Sequence, residues 1–162
     1  MTTDNPTLYM LIGVPGSGKS TWIKSHDWDN TVIISTDDII DRRAAQQGKT
    51  YSDVFQSEIK SASAEMEQNL KQAIKADKNI IWDQTNLTPN ARRAKLAKVP
   101  SKYKKVAVFF KTPSDAILYN RLTKRATDSG KHIPRNIVMG MMSQLTPPST
   151  DEGFDEIVTV AT

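Results

Sequence analysis

Eight residues near the start of the chain combine glycine, lysine and serine at fixed spacing. The segment Gly13-Val14-Pro15-Gly16-Ser17-Gly18-Lys19-Ser20 matches G-x-x-x-x-G-K-[ST] at every fixed position and lies between a predicted strand and a predicted helix. Such a loop turns its backbone N–H groups toward phosphate oxygens, next to the positive end of a helix dipole. We expect Lys19 to reach the β- and γ-phosphates of ATP, Ser20 to ligate Mg²⁺ and Thr21 to contact the α-phosphate. The predicted ATP-binding residues of this segment are Gly13, Pro15, Gly16, Ser17, Gly18, Lys19, Ser20 and Thr21.

The loop predicts a nucleotide site without predicting a reaction. Hydrolases, molecular switches and motors carry the same motif as kinases do. Further candidate residues are therefore needed before a function can be inferred.

Acidic residues follow two other apolar runs. Asp37 and Asp38 come after Val32 to Ser35, and Asp83 comes directly after Asn79 to Trp82. Ligands of open α/β sheets bind at the carboxyl ends of the strands, so both clusters are expected beside the phosphate loop. Asp83 is a candidate to hold Mg²⁺ through water. Asp37 or Asp38 could accept a proton from an attacking hydroxyl, or could cap the next helix, and spacing alone leaves both uses open.

Two groups of cations are candidates to meet anionic ligands. Arg121 and Arg125 lie in a basic helix end followed by a polar turn, which is typical of a lid over a transferring phosphate. The alternative for this run is a solvated helix face. Arg92 and Arg93 follow the Asp83 cluster and could meet an anionic substrate, although a solvated position is the ordinary fate of at least one of them.

The order of the apolar segments predicts the fold that positions these residues. Strands are expected at Leu8 to Ile12, Val32 to Ser35, Asn79 to Trp82 and Val106 to Phe110, with a fifth at Ile157 to Val160. Between them lie helical patterns, including one long amphipathic helix over residues 55–73 and helix starts at Thr88-Pro89, Thr112-Pro113 and Pro134. Residues 143–153 are predicted to form a loop. The pattern indicates an α/β P-loop NTPase fold, with a mostly parallel sheet of four to five strands, helices on both faces and a basic lid.

Composition sets wider limits. The 162 residues fit a single domain over 1–162, and the absence of cysteine excludes disulfides, thiolate metal sites and thiol nucleophiles. The N-terminal segment, residues 1–6, lacks the order of a signal peptide, so a soluble cytoplasmic protein without membrane contact is expected. The net charge of +4 favours an anionic partner.

Taken together, these motifs resemble the kinase domains of the polynucleotide 5′-hydroxyl kinases, which belong to phage and animal end-healing enzymes. The resemblance spans nearly the whole chain. It is carried by residues 13–21, Ser35 to Asp38, Asp83 to Arg93, Arg121 to Arg125, His132 to Pro134 and the segment Glu152 to Ile157.

The resemblance implies residue roles and a substrate. It makes Asp37 the general base and Arg125 the catalytic lid arginine, with Arg121 as a second phosphate contact. The phosphate-loop motif itself makes Lys19 a catalytic cation. It places Asp83, Thr85 and Asn86 near the reactive hydroxyl, with ATP, Mg²⁺ and a nucleic acid bearing a 5′-hydroxyl as ligands.

One position departs from the family pattern. Phage-type enzymes carry an arginine three residues past the catalytic aspartate, where this chain has Ile40. Arg42 or Arg43 could substitute from the next turn of the helix. Arg92 and Arg93 are further candidates to bind the substrate phosphate. The phosphatase domain often fused to such kinases is absent from the sequence, so removal of a 3′-phosphate is not expected.

Three functions therefore compete. The leading one is phosphorylation of a DNA or RNA 5′-hydroxyl by ATP. The second keeps the fold and phosphorylates a small molecule or a hydroxymethyl group on a modified base in DNA. The third is a nucleotide-dependent binding module that hydrolyses ATP slowly.

Overall fold

The computed structural model of the chain describes residues 5–161, and a five-stranded sheet lies at its centre. Its strands are β1 (Thr7–Ile12), β2 (Thr31–Ile34), β3 (Asn79–Trp82), β4 (Lys104–Phe110) and β5 (Glu156–Val160). They lie in the order β2-β3-β1-β4-β5, and every neighbouring pair is parallel. The predicted parallel sheet is confirmed, including its fifth strand.

Helices cover both faces of this sheet. They are α1 (Lys19–Lys24), α2 (Thr36–Gln46), α3 (Tyr51–Lys75), α4 (Pro89–Leu96), α5 (Asp115–Ser129) and α6 (Arg135–Gln144), with a short 3-10 helix at Thr150–Glu152. Side chains of α2, α3 and α4 pack on one face around Ile80 and Trp82. Trp22 and Ile23 of α1 pack on the other face against Leu11 and Val108. The predicted α/β P-loop fold with two helical layers is confirmed.

Helix starts follow the sequence signals at one predicted site and depart from them at another. The Thr88 hydroxyl accepts a hydrogen bond from the Ala91 amide, with Pro89 opening α4 as predicted. The expected start at Thr112-Pro113 is wrong, because α5 begins at Asp115 with Ser114 at its N-cap position. Pro113 is buried in the connection from β4, so its preset backbone angle serves that turn and not the first turn of the helix.

The predicted loop over residues 143–153 is only partly correct. Helix α6 continues to Gln144, and Ser149 caps the short 3-10 helix, with its hydroxyl accepting from the Asp151 amide. Within residues 5–161, no helix is both long and apolar enough to cross a bilayer. Most of the polar N-terminal segment, residues 1–4, lies outside the described part of the chain.

Candidate active site

The phosphate loop leaves the carboxyl end of β1 and leads into α1. Gly16 and Gly18 have positive φ angles of 83° and 105°, a backbone conformation that favours glycine. A side chain at Gly13 would meet the Ser17 hydroxyl at 2.6 Å and the Phe110 Cβ at 3.0 Å, so close packing also requires glycine there. The Gly13 amide donates to the Thr85 carbonyl at 3.0 Å, which ties the loop to the residues that follow β3.

Lys19 lies in the curve of this loop. Its Nζ donates to the Gly13 carbonyl at 2.8 Å. Burial lowers the pKa of Lys19 to about 8, although the nearby carboxylates of Asp83 and Asp37 act in the opposite direction. The loop therefore holds a cation at its centre, as the motif predicts.

A cleft of about 270 Å³ opens in front of the loop. It brings together most of the predicted ATP-binding residues with both acidic clusters and the lid arginines. Its lining residues include Pro15, Gly16, Gly18, Lys19, Ser20, Thr21, Asp37, Asp38, Asp83, Thr85, Arg121 and Arg125. We call this space the donor cleft. Gly13 and Ser17 do not line it, because both are buried behind the loop.

Asp37 and Asp38 lie in the first turn of α2, and neither caps that helix. The cap is Ser35, whose hydroxyl accepts from the Asp38 amide at 3.2 Å. The capping role considered for the two aspartates is therefore wrong. Burial and the neighbouring Asp37 charge raise the pKa of Asp38.

The two carboxylate oxygens of Asp37 each accept a hydrogen bond. The Tyr51 hydroxyl donates to Oδ1 at 2.7 Å, and Lys131 Nζ donates to Oδ2 at 2.5 Å. Burial pushes the pKa of Asp37 upward, but the Lys131 charge and the two hydrogen bonds outweigh it, so the net shift is downward. Asp37 is therefore ionised at neutral pH.

Ser20 and Asp83 supply oxygen ligands on the same cleft, which is the donor chemistry that Mg²⁺ prefers. Burial raises the pKa of Asp83, while Lys19 lowers it and Asp38 and Asp37 raise it further. A divalent cation would relieve this crowding of carboxylates. Within residues 5–161 there is no cluster of three His, Cys, Asp or Glu residues that could hold a metal. The residues thus fit an ion that takes its other ligands from phosphate and water.

The predicted lid is helix α5 with the turn after it. Arg121 Nη1 donates to the Gly16 carbonyl at 2.9 Å, so the helix lies directly over the phosphate loop. Arg125, one turn further on, also lines the donor cleft. Both predicted lid arginines therefore lie at the donor cleft.

Two predicted substrate residues have structural positions instead. Arg92 is 0% exposed and pairs with Glu152 through Nε at 2.7 Å and Nη2 at 3.1 Å. Asn86 is 2% exposed, has a φ of 49°, and donates from Nδ2 to the Leu11 carbonyl at 2.7 Å. Its own carbonyl accepts from Arg92 Nη1. Neither side chain lines the site, so their expected contact with substrate is corrected to a role in holding the loop after β3 against β1.

The remaining predicted arginines also lie away from the site. Arg42 and Arg43 on α2 form ion pairs with Glu65 on α3, and Arg43 also pairs with Glu58. Arg93 is exposed and donates to Asn90 within α4. Ile40 is fully buried in the core between these helices, so it does not face a substrate. Arg42, Arg43, Arg93 and Ile40 line neither the donor cleft nor the second cleft described next.

A second cleft, of about 470 Å³, adjoins the donor cleft, and Asp37 lines both. We call it the acceptor cleft. Its apolar wall consists of Tyr51, Phe55, Ile133, Ile137 and Met141, and its polar groups include Ser52, Gln56, Gln84, Thr85 and His132. It shares Pro15, Asp37, Gln84, Thr85 and Lys131 with the donor cleft. Asp37 thus stands in a wall between two spaces.

Sequence reasoning missed Lys131 and Tyr51. Lys131 is 94 residues from Asp37 in the chain, and Tyr51 is 14 residues away. Lys131 belongs to the polar turn predicted as part of the lid, and Tyr51 lies before the amphipathic helix predicted over residues 55–73. The available signal was a lysine in the turn after a basic helix. That signal does not identify Asp37 as the carboxylate partner of the lysine.

Comparison with known proteins gives the site a context. The family profile described as an AAA domain matches residues 8–148. Heterogeneous nuclear ribonucleoprotein U-like protein 2 of Mus musculus is 22% identical over 163 residues, which cover 96% of this chain. The chain spans only 22% of the length of that relative.

Several solved structures resemble the fold, and two of them illustrate the similarity to this chain. One, described as the structure of the Pnkp1/Rnl/Hen1 RNA repair complex, is 25% identical with a TM-score of 0.70 and covers 95% of this chain and 48% of that one. The other, from the PezAT chromosomal toxin-antitoxin system of Streptococcus pneumoniae, is 16% identical with a TM-score of 0.73 and covers 99% and 69%. The first match confirms the resemblance to polynucleotide kinases, and both confirm a P-loop kinase-type fold.

Proposed function

We propose that this chain, which belongs to the AAA domain family, is a kinase that transfers the γ-phosphate of ATP to the 5′-hydroxyl of a nucleic acid. One observation carries the proposal. Asp37, whose two carboxylate oxygens accept from Tyr51 and Lys131, lines both the cleft built by the phosphate loop and a second cleft with room for an acceptor.

The donor cleft supplies charge for the triphosphate. Lys19 and the backbone N–H groups of the loop bind the β- and γ-phosphates, and Arg125 and Arg121 approach the γ-phosphate from the lid. Ser20 and Asp83 would hold Mg²⁺, and a bound ion would neutralise negative charge on the phosphate oxygens. Catalysis of phosphoryl transfer consists mainly of such positioning and electrostatic stabilisation.

Asp37 acts as the general base. An acceptor hydroxyl in the second cleft donates a hydrogen bond to the Asp37 carboxylate, which takes the proton as the oxygen attacks phosphorus. Asp38 lies one residue further along α2 and lines the donor cleft but not the acceptor cleft, so it is less well placed to meet the acceptor hydroxyl.

The acceptor cleft supports a nucleoside end as the substrate. Its aromatic and aliphatic wall suits a flat base, and its amide and hydroxyl groups suit the polar edge of one. The RNA repair complex and the ribonucleoprotein relative make a nucleic acid the acceptor to test first.

The test is transfer of labelled γ-phosphate to a single-stranded oligonucleotide with a 5′-hydroxyl, with the new phosphate located by mass spectrometry. The matched control is the same oligonucleotide with a 5′-phosphate, which should not accept label. Label on the 5′-oxygen supports the proposal. ATP hydrolysis with no phosphorylated product would favour a nucleotide-dependent binding module.

A second candidate is phosphorylation of a small molecule or of a hydroxymethyl group on a base. The observation that favours it is the position of Arg42, Arg43, Arg92 and Arg93, all held away from the acceptor cleft. Without these four arginines, a substrate phosphate next to the reactive hydroxyl would add little to the binding affinity. Free nucleosides and hydroxymethylated duplexes should therefore be assayed beside the oligonucleotide. Label on those alone would replace the leading function with this one.

A further inference from the structure

The turn after α5 is docked on the start of α3 by three separate contacts. Gly130 has a φ of 71°, and a side chain there would meet Thr50 Cβ at 2.4 Å, so the two backbones pack closely. The His132 amide donates to the Ser52 hydroxyl at 3.1 Å. Lys131 Nζ lies 4.8 Å above the Tyr51 ring, where a cation is attracted to the aromatic face. The lid turn is thus fixed to the helix that carries Tyr51.

This docking delivers Lys131 to Asp37. Lys131 and Tyr51 are each only 8% exposed, and each donates to a different oxygen of the same carboxylate. Two donors from two elements leave the carboxylate little freedom to rotate. Each carboxylate oxygen still has a second lone pair, so an acceptor hydroxyl can also donate to it.

Lys131 also lies where both substrates meet. It lines the donor cleft and the acceptor cleft, together with Asp37. Its buried charge faces Asp37 and no other carboxylate within salt-bridge distance in the described chain. A surface lysine that merely stabilised the lid would not need this position.

We propose that Lys131 and Tyr51 are positioning residues for the transfer reaction: they fix the Asp37 carboxylate in the wall between the clefts, and the turn 130–132 couples lid docking to this arrangement. The proposal rests on the proposed function, in which Asp37 is the base.

The test compares Lys131→Met with Lys124→Met, which changes an exposed lysine on the lid helix α5. Lys131→Met should lower kcat by about 10²-fold, the effect of misplacing a reacting group by about 1 Å, with little change in KM for ATP. Lys131→Arg should recover part of the loss because it keeps the charge. Lys124→Met should behave as the unmodified protein.

A pH profile separates positioning from simple loss of structure. The groups that influence Asp37 from the elements around it are Lys131, Tyr51, Arg125, Lys19, Asp38, Asp41 and Asp83. Removing the Lys131 charge raises the pKa of Asp37, so the acidic limb of kcat should move to higher pH. Tyr51→Phe removes only the hydroxyl donor and should move the limb the same way by less.

The decisive comparison repeats Lys131→Met in an Asp37→Asn protein. If Lys131 acts through Asp37, the second change should add little to the loss in kcat. An equal loss in both backgrounds, or an acidic limb that does not move, would overturn the proposal.

A wrong acceptor assignment can be distinguished from a wrong role for Lys131 and Tyr51. If the oligonucleotide is not phosphorylated, the same variants are compared in ATP hydrolysis and in thermal unfolding. Coupled effects of Lys131→Met and Asp37→Asn on the unfolding temperature support the docked pair even when the acceptor is another hydroxyl. Strictly additive effects in unfolding and hydrolysis would overturn it.

Discussion

The Arg92 guanidinium donates to both carboxylate oxygens of Glu152, and the pair closes a gap of 60 residues in the chain. Arg92 is fully buried, and the Glu152 side chain is 9% exposed. Removal of one partner leaves a buried charge without compensation. We therefore expect Arg92→Ala to lower the free energy of unfolding by about 3–5 kcal/mol, measured by denaturant titration.

Arg93→Ala is the matched control for that change. Arg93 is exposed and forms no salt bridge among the described residues, where its side-chain hydrogen bond goes to Asn90, so its loss should alter the free energy of unfolding by less than about 0.5 kcal/mol. A folded Arg92→Ala protein of unchanged stability with a raised KM for the oligonucleotide would restore Arg92 as a substrate contact.

Asp37→Asn should give a folded protein that still binds ATP but transfers phosphate more slowly by about 10² to 10⁴, the usual effect of a positioned base. Ser35 caps α2, so the substitution does not remove the helix cap. Single-turnover rates with saturating ATP measure the effect. Asp38→Asn is the control and should be much milder. A larger loss for Asp38→Asn would mean that the base has been assigned to the wrong aspartate.

Lys19→Ala should abolish detectable transfer, because the cation that neutralises the β- and γ-phosphates is lost. The fold should persist, since among residues 5–161 the side chain loses one hydrogen bond, to the Gly13 carbonyl. Circular dichroism and the transfer assay are the measurements. Near-normal turnover in the folded variant would contradict the nucleotide site itself.

The burial of Lys95 predicts that the free energy of unfolding depends on pH. Its Nζ contacts the Asn86 amide oxygen and lies 5.5 Å from the centre of the Trp82 ring. Burial, with help from nearby Lys98 and Lys19, lowers its pKa from 10.5 to about 8. Between these values the unfolded chain binds a proton that the folded protein has lost, so this lysine makes stability rise with pH.

The measurement compares the protein with its Lys95→Met variant by denaturant unfolding from pH 7 to pH 10. The stability of the unmodified protein relative to the variant should increase above pH 8. Parallel curves over the whole range would show that the Lys95 ammonium is not destabilised by folding.

Much of the donor site could be predicted because its information is local. The phosphate loop is a contiguous pattern between a strand and a helix, and Asp83 directly follows an apolar strand. Parallel strands bring their carboxyl ends to one edge, so topology alone places Asp37 beside the loop.

The acceptor side could not be predicted in the same way, because it depends on pairs that are distant in sequence. Sequence reasoning offers Arg92 as a substrate contact and places Lys131 in the lid turn, yet each is buried and paired with one carboxylate far along the chain. Asn86 has the residue type expected of a ligand, but its left-handed backbone and its bond to the Leu11 carbonyl make it structural. No single-residue signal distinguishes these uses.

The wall that the two clefts share also limits the order in which substrates can bind and react in the proposed transfer. Asp37 and Thr85 line both spaces, so the proposed transfer would bring the hydroxyl and the γ-phosphate together there and would need no covalent enzyme intermediate. Both substrates must then be bound at once, and a single in-line displacement inverts the configuration at phosphorus. Initial rates should give intersecting double-reciprocal plots, whereas parallel lines would indicate a ping-pong route. A chiral γ-thiophosphate would record the inversion directly.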